Sequence, residues 1–135
     1  MDDAALSGSF ANAPIQGAEA FRVLLSVLAR PGEVGALDAA RPPDPLSTAA
    51  GTLLLTLADQ TTPVHLAASH DTQTLRDWIT FHCGAPLVAA EEAVFAVGSW
   101  PALQPLNRFA LGDPAYPDRS ATLVIEVPNL EQSGA

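Results

Sequence analysis

The sequence contains no lysine; all six of its basic side chains are arginines. That absence excludes two chemistries, because a pyridoxal phosphate Schiff base and a Walker-type phosphate loop each need a lysine amine. Basic charge is scarce altogether. Six arginines stand against 15 acidic residues, for a net charge of −9. Nucleic acid binding needs clustered positive charge, so it is disfavoured, and the same holds for an anionic membrane surface. Cysteine occurs once, at Cys83, which leaves no internal disulfide and no cysteine-rich zinc site. No apolar run approaches the roughly 20 residues that span a bilayer. The opening residues, Met1-Asp2-Asp3-Ala4-Ala5-Leu6, are acidic where a secretory signal would be basic. A soluble, cytoplasmic protein is expected.

What is present supplies a core. Hydrophobic residues make up 48% of the chain and charged ones 16%, enough apolar surface to offset chain entropy. At this length one core and one domain, residues 1–135, are expected. Residues 1–14 are small and polar and read as flexible. A helix over Gln16–Arg30 follows, with Ala18, Phe21, Leu24, Leu25 and Leu28 on one face, and Pro31-Gly32 stops it. Glu33–Leu37 reads as a short strand. The segment from Asp38 to Ser47 holds Pro42, Pro43 and Pro45 and must be a loop.

Thr48–Asp59 carries Leu53, Leu54, Leu55 and Leu57, which fit either a buried strand or a buried helix; its length and alanines favour a helix starting near Thr48. Thr62–Ala67 alternates as a strand. Asp71 is placed to cap a helix whose Leu75, Trp78, Ile79 and His82 share a face, and Gly84 to close it in the left-handed region. Ala93–Val97 and Ala121–Val127 have strand length, and the second is β-branched enough for a buried central strand. Between them, Ser99–Arg119 is proline-rich with at most one helical turn. Helices and strands alternate, so the class is α/β, a mixed sheet flanked by helices. The chain stops eight residues after Val127, with nothing expected to cover the sheet's second face.

Catalytic motifs are few. Neither a Gly-x-Gly-x-x-Gly loop nor a Gly-x-Ser-x-Gly elbow occurs. His65, His70, His82 and Cys83 are the soft metal ligands, but His65 and His70 stand five apart at a strand end, and no metal site is expected. His82 reads either as a proton donor or phosphonate contact at a helix end, or as a packed ring near the terminal carbonyls; packing is favoured. Cys83 reads as a small buried hydrophobe. Asp59 is either a catalytic carboxylate or the cap of the turn at Thr61-Thr62-Pro63, and the turn is favoured. Arg22 flanks the apolar face of the first long helix, where it either meets a partner carboxylate or phosphate, or stays solvated. No catalytic residue is assigned. Arg22, Asp59 and His82 remain candidates for contact with substrate or partner.

Five blocks carry a resemblance. They are Phe21-Arg22-Val23-Leu24-Leu25-Ser26-Val27-Leu28-Ala29-Arg30-Pro31-Gly32; Leu53 to Asp59 with Thr62-Pro63-Val64; Phe81-His82-Cys83-Gly84-Ala85-Pro86-Leu87; Phe95-Ala96-Val97; and Ala121 to Val127. In that order they resemble the PhnH family, a subunit of the bacterial carbon–phosphorus lyase system, across nearly the whole chain. The resemblance implies a core complex with PhnG, PhnI and PhnJ, in which a homodimer is also allowed. With PhnL joining transiently, it implies support for displacement of adenine from ATP by an alkylphosphonate, giving a ribose 1-phosphonate 5-triphosphate. It also implies a fold similar to the pyridoxal-phosphate-dependent transferases, without the cofactor; no cofactor is expected. Against family members the C-terminal part is missing. Two alternatives stand beside this reading: a small stand-alone enzyme using His82 and Asp59, and a truncated relative without function.

Overall fold

A computed structural model describes residues 3–112 and 120–128. Its centre is a three-stranded sheet in the order β1 (Val64–Leu66), β2 (Phe95–Ser99), β3 (Thr122–Glu126). Both pairings are parallel, with Val64 opposite Phe95 and Phe95 opposite Thr122. The described strands therefore form a parallel sheet where a mixed one was expected. β2 is the central strand, and its apolar run Phe95–Val97 is buried. β3, expected at the centre, lies at the edge and keeps Ile125 exposed. No described strand pairs with its outer side.

Alternation along the strands divides the core between two faces. Val64, Leu66, Phe95 and Val97 point to one side. There they meet α3 (Thr48–Leu57) and α4 (Gln73–Cys83) through Leu54, Leu75, Trp78 and Ile79. Ala96 and Leu123 point to the other side, where Leu103 and Phe109 pack on them. That second face is not bare. It is covered by the proline-rich segment holding α5 (Trp100–Leu103) and a single 3₁₀ turn at Leu106–Arg108. Gly98 permits this close approach, since a Cβ there would lie 2.6 Å from the Cβ of Ala67 and 3.3 Å from Leu103.

Local chemistry explains the helix ends. Ser47 caps α3, its hydroxyl accepting from the Ala50 amide at 3.1 Å. Thr72 caps α4, accepting from Leu75 at 3.2 Å. Asp71, the expected cap, instead pairs with Arg76 at 2.9 Å. Gly84 ends α4 with φ 71°, as expected of a C′ glycine. Glu33–Leu37 forms no strand.

Part of the N-terminal segment is anchored to the core. In α1 (Asp3–Leu6) Ala5 is wholly buried, and the Ser7 carbonyl accepts the Trp78 indole N–H at 2.8 Å. The long helix α2 (Ala13–Ala29) buries Ala20 and Leu24 toward α3. On its other apolar face Phe21, Leu25 and Leu28 are 47%, 52% and 71% exposed. The face expected inside is therefore largely outside. Among the described residues no helix is long and apolar enough to cross a membrane.

Candidate functional site

Asp59 follows α3 in an exposed turn. Its carboxylate accepts the Thr61 hydroxyl at 2.6 Å and the Thr61 amide at 2.7 Å. These bonds favour the charged form and hold the carboxyl below its ordinary value. The Asp59 amide in turn donates to the Thr62 hydroxyl at 2.7 Å. Through Oδ1 the carboxylate serves the turn.

His82 lies in the last turn of α4, half-buried. Its ring packs 5.2 Å from that of Trp78 and 4.9 Å, edge-on, from that of Phe81. Its Nε2 is buried without a hydrogen-bond partner. Arg22 is on the exposed side of α2. Among the described residues, no hydrogen bond, ion pair or ring contact links Arg22, Asp59 and His82 to one another. They do not form one constellation.

The remaining nucleophile and ligand types are also placed. Burial pushes the Cys83 thiol up to about 12, and the residue packs against the core from the end of α4, so it is held protonated and unreactive. His65 donates through Nδ1 to the Val88 carbonyl at 3.0 Å, and its buried Nε2 has no hydrogen-bond partner. His70 is 5% exposed, and its Nδ1 meets the Ser69 hydroxyl at 2.9 Å. Ser69 Oγ also accepts the Ser99 amide at 3.0 Å, tying the ends of β1 and β2 together. Among the described residues no three His, Cys, Asp or Glu side chains gather at metal-binding geometry.

Two surface features stand out; the first escaped sequence reasoning, whereas the second belongs to the helix face that the sequence already marks as apolar. One is a groove of about 320 Å³ between the start of α3 and β3, lined by Leu37, Ala50, Leu53, Val124 and Val127 among others. Its one charged lining residue, Glu126, accepts from the Ser47 amide at 3.1 Å and hydroxyl at 2.9 Å. The residues meet across 79 positions of sequence, so only the lone charge within an apolar strand hints at it. Such a groove favours apolar groups and repels phosphate. The other feature is the exposed apolar stripe of α2.

The arginines are similarly informative. Arg30 pairs with Glu33 and Arg76 with Asp71. Arg41 donates to the carbonyls of Asp38 and Ala40, and Arg108 to that of Ala102 at 2.8 Å. Arg22 alone among the described arginines makes no hydrogen bond or ion pair. No positive clamp for a polyphosphate is built from these residues.

Comparison with known proteins gives two findings. Residues 8–135 match the family model described as bacterial phosphonate metabolism protein (PhnH). The chain is also 42% identical over 130 residues to the alpha-D-ribose 1-methylphosphonate 5-triphosphate synthase subunit PhnH of Rhizobium meliloti (strain 1021). That alignment covers 93% of this chain and 64% of the relative, so the chain spans less than two thirds of that protein's length.

Proposed function

The chain belongs to the PhnH family of bacterial phosphonate metabolism proteins, and from that premise we propose that it acts by association, as a cytoplasmic subunit of the carbon–phosphorus lyase machinery. Its partners in this reading are PhnG, PhnI and PhnJ, with PhnL joining transiently. The assembly forms a ribose 1-phosphonate 5-triphosphate from ATP and an alkylphosphonate. The relative's printed name, a synthase subunit, supports the assembly.

The observation that carries the proposal is the division of surface. The candidate polar side chains gather into no common site: Asp59 Oδ1 serves its own turn, and the His82 ring packs on Trp78 and Phe81. Apolar side chains of α2 are left uncovered instead. A triphosphate needs positive donors aimed at it, and the arginines described above, Arg22 excepted, are engaged within the chain. Partners must supply that charge. The lack of lysine accords with a transferase-like framework that has lost its cofactor.

The test is co-expression with PhnG, PhnI and PhnJ. The chain should co-purify, and with PhnL added the mixture should need it to release adenine from ATP and methylphosphonate. Adenine release by the isolated chain would instead favour a stand-alone enzyme. Absence of co-purification together with unaltered adenine release would refute the association reading.

A further inference from the structure

The exposed stripe of α2 has a period of its own. Pro14, Ala18, Phe21, Leu25 and Leu28 follow one another at steps of four, three, four and three. That is the 3.5-residue repeat of a helix–helix seam, in which side chains of one helix enter the holes of another at a shallow crossing angle. The stripe is separate from the face that packs α2 onto its own chain. That face runs through Ala20 and Leu24, and the Val23 and Val27 methyls lie 2.8 Å from where a Cβ on Gly35 would stand. A surface helix needs one apolar stripe to fold. This one has two, and the second extends over about 21 Å at 1.5 Å per residue.

On the reading that the chain works by association, we infer that this seam docks a helix of a partner subunit, one with its own four–three apolar repeat and a carboxylate facing Arg22. Arg22 is the charged residue at the seam's edge. It sits one position beyond Phe21, where a coiled coil places its interhelical ion pairs, and no carboxylate among the described residues engages it.

The same geometry disfavours a second copy as occupant. One heptad either side of Arg22, the same edge carries Ile15 and Ala29; the opposite edge carries Gly17 and Leu24. A copy laid seam to seam, parallel or antiparallel, brings one of those edges against Arg22. Neither holds a carboxylate. Self-pairing would leave the guanidinium without a partner or set it against its own copy, whereas an acidic edge on a different chain satisfies it.

Photocrosslinking tests this in the co-expressed assembly with PhnG, PhnI and PhnJ. A benzoylphenylalanine replaces Leu25 on the seam or, as control, Glu19 on the polar side; both positions are exposed. The Leu25 probe should crosslink to one segment of a different subunit, carrying apolar residues at four–three spacing and an Asp or Glu. The Glu19 probe should not reach that segment. Arg22→Glu should weaken co-purification about tenfold or more with an unchanged thermal midpoint, and Arg22→Lys should keep most of it. A crosslink to a second copy, to the chain itself or to a segment without that repeat would overturn the inference. Co-purification with no crosslink from position 25 overturns it while leaving the association reading intact; failure to co-purify overturns it too, and with unaltered adenine release overturns the association reading as well.

Discussion

Trp78 is the side chain whose loss should cost this protein most. It is fully buried between α3 and α4 with Leu54, Leu75 and Ile79 around it. Its indole N–H, 2.8 Å from the Ser7 carbonyl, also fastens the N-terminal segment to the core. Truncation to alanine removes nine ring atoms from a site already closed by neighbouring helices, a change worth about 3–5 kcal/mol. The stranded Ser7 carbonyl adds less than its full burial cost of about 1–3 kcal/mol, because α1 is short and can swing into water. Trp78→Phe separates these effects: it keeps most of the apolar volume and loses the N–H. Urea unfolding followed by far-ultraviolet circular dichroism is the suitable assay, since the substitution removes a tryptophan reporter. Trp78→Ala should lower the unfolding free energy by about 3–5 kcal/mol, a large share of the 5–15 kcal/mol typical of a domain. Trp78→Phe should lose less than Trp78→Ala and should speed amide exchange selectively in residues 3–8. A Trp78→Ala loss below about 1 kcal/mol would refute the packing argument, and with it the register of α4.

Gly51→Ala, which in an open helix gains about 1 kcal/mol, should here lower the thermal midpoint. The new Cβ would lie 2.6 Å from Cγ of the rigid Pro42 ring, and overpacking of that kind costs about 1–3 kcal/mol; a raised midpoint would count against it. Cys83 should resist a thiol reagent at neutral pH in the folded chain and release one equivalent on unfolding. Its thiol is raised from 9.0 to about 12, so the unfolded thiol ionises first, and its share of stability, full below pH 9, should fall as pH climbs toward 12. Rapid labelling of the native chain would remove the basis for both expectations.

Elements whose signals are local were legible in the sequence. The Asp59 turn is closed by bonds to Thr61 and Thr62, within three residues. The buried face of α4 and the closing glycine depend only on spacing along one helix. α2 was harder for a physical reason. Apolar residues occupy more than half of its circumference, so periodicity finds a stripe without saying which stripe the rest of the chain will cover. Leu24 belongs to the buried one, while Phe21, Leu25 and Leu28 belong to the exposed one.

β3 failed for a related reason. β-branched composition reports that a strand can be buried on both faces, but its place in the sheet depends on pairing, and among the described strands β3 pairs only with β2. The cover over the sheet's second face was invisible because Leu103 and Phe109 reach it from a short helix and irregular chain, where no period operates. The Glu126–Ser47 contact joins residues 79 apart, beyond any local pattern.

The acidity of the chain and its uncovered helix face bear on the same question from different distances. At contact range, α2 presents apolar knobs and one guanidinium, a surface that on the proposed reading selects a partner by shape and by one charge. At long range, a net charge of −9 repels free nucleotide and attracts any protein with a basic surface. On the proposed reading, the partner that clamps a triphosphate must itself be locally basic, so the field that hinders lone substrate binding speeds encounter with that partner. The two features then have separate roles. The diffuse negative charge governs how often the proteins meet and is screened beyond about 8–10 Å at physiological salt. The seam governs how long they stay. A chain that engages four of its five described arginines internally, and carries acidic residues in excess, is suited to joining a cationic site made by others rather than to making one.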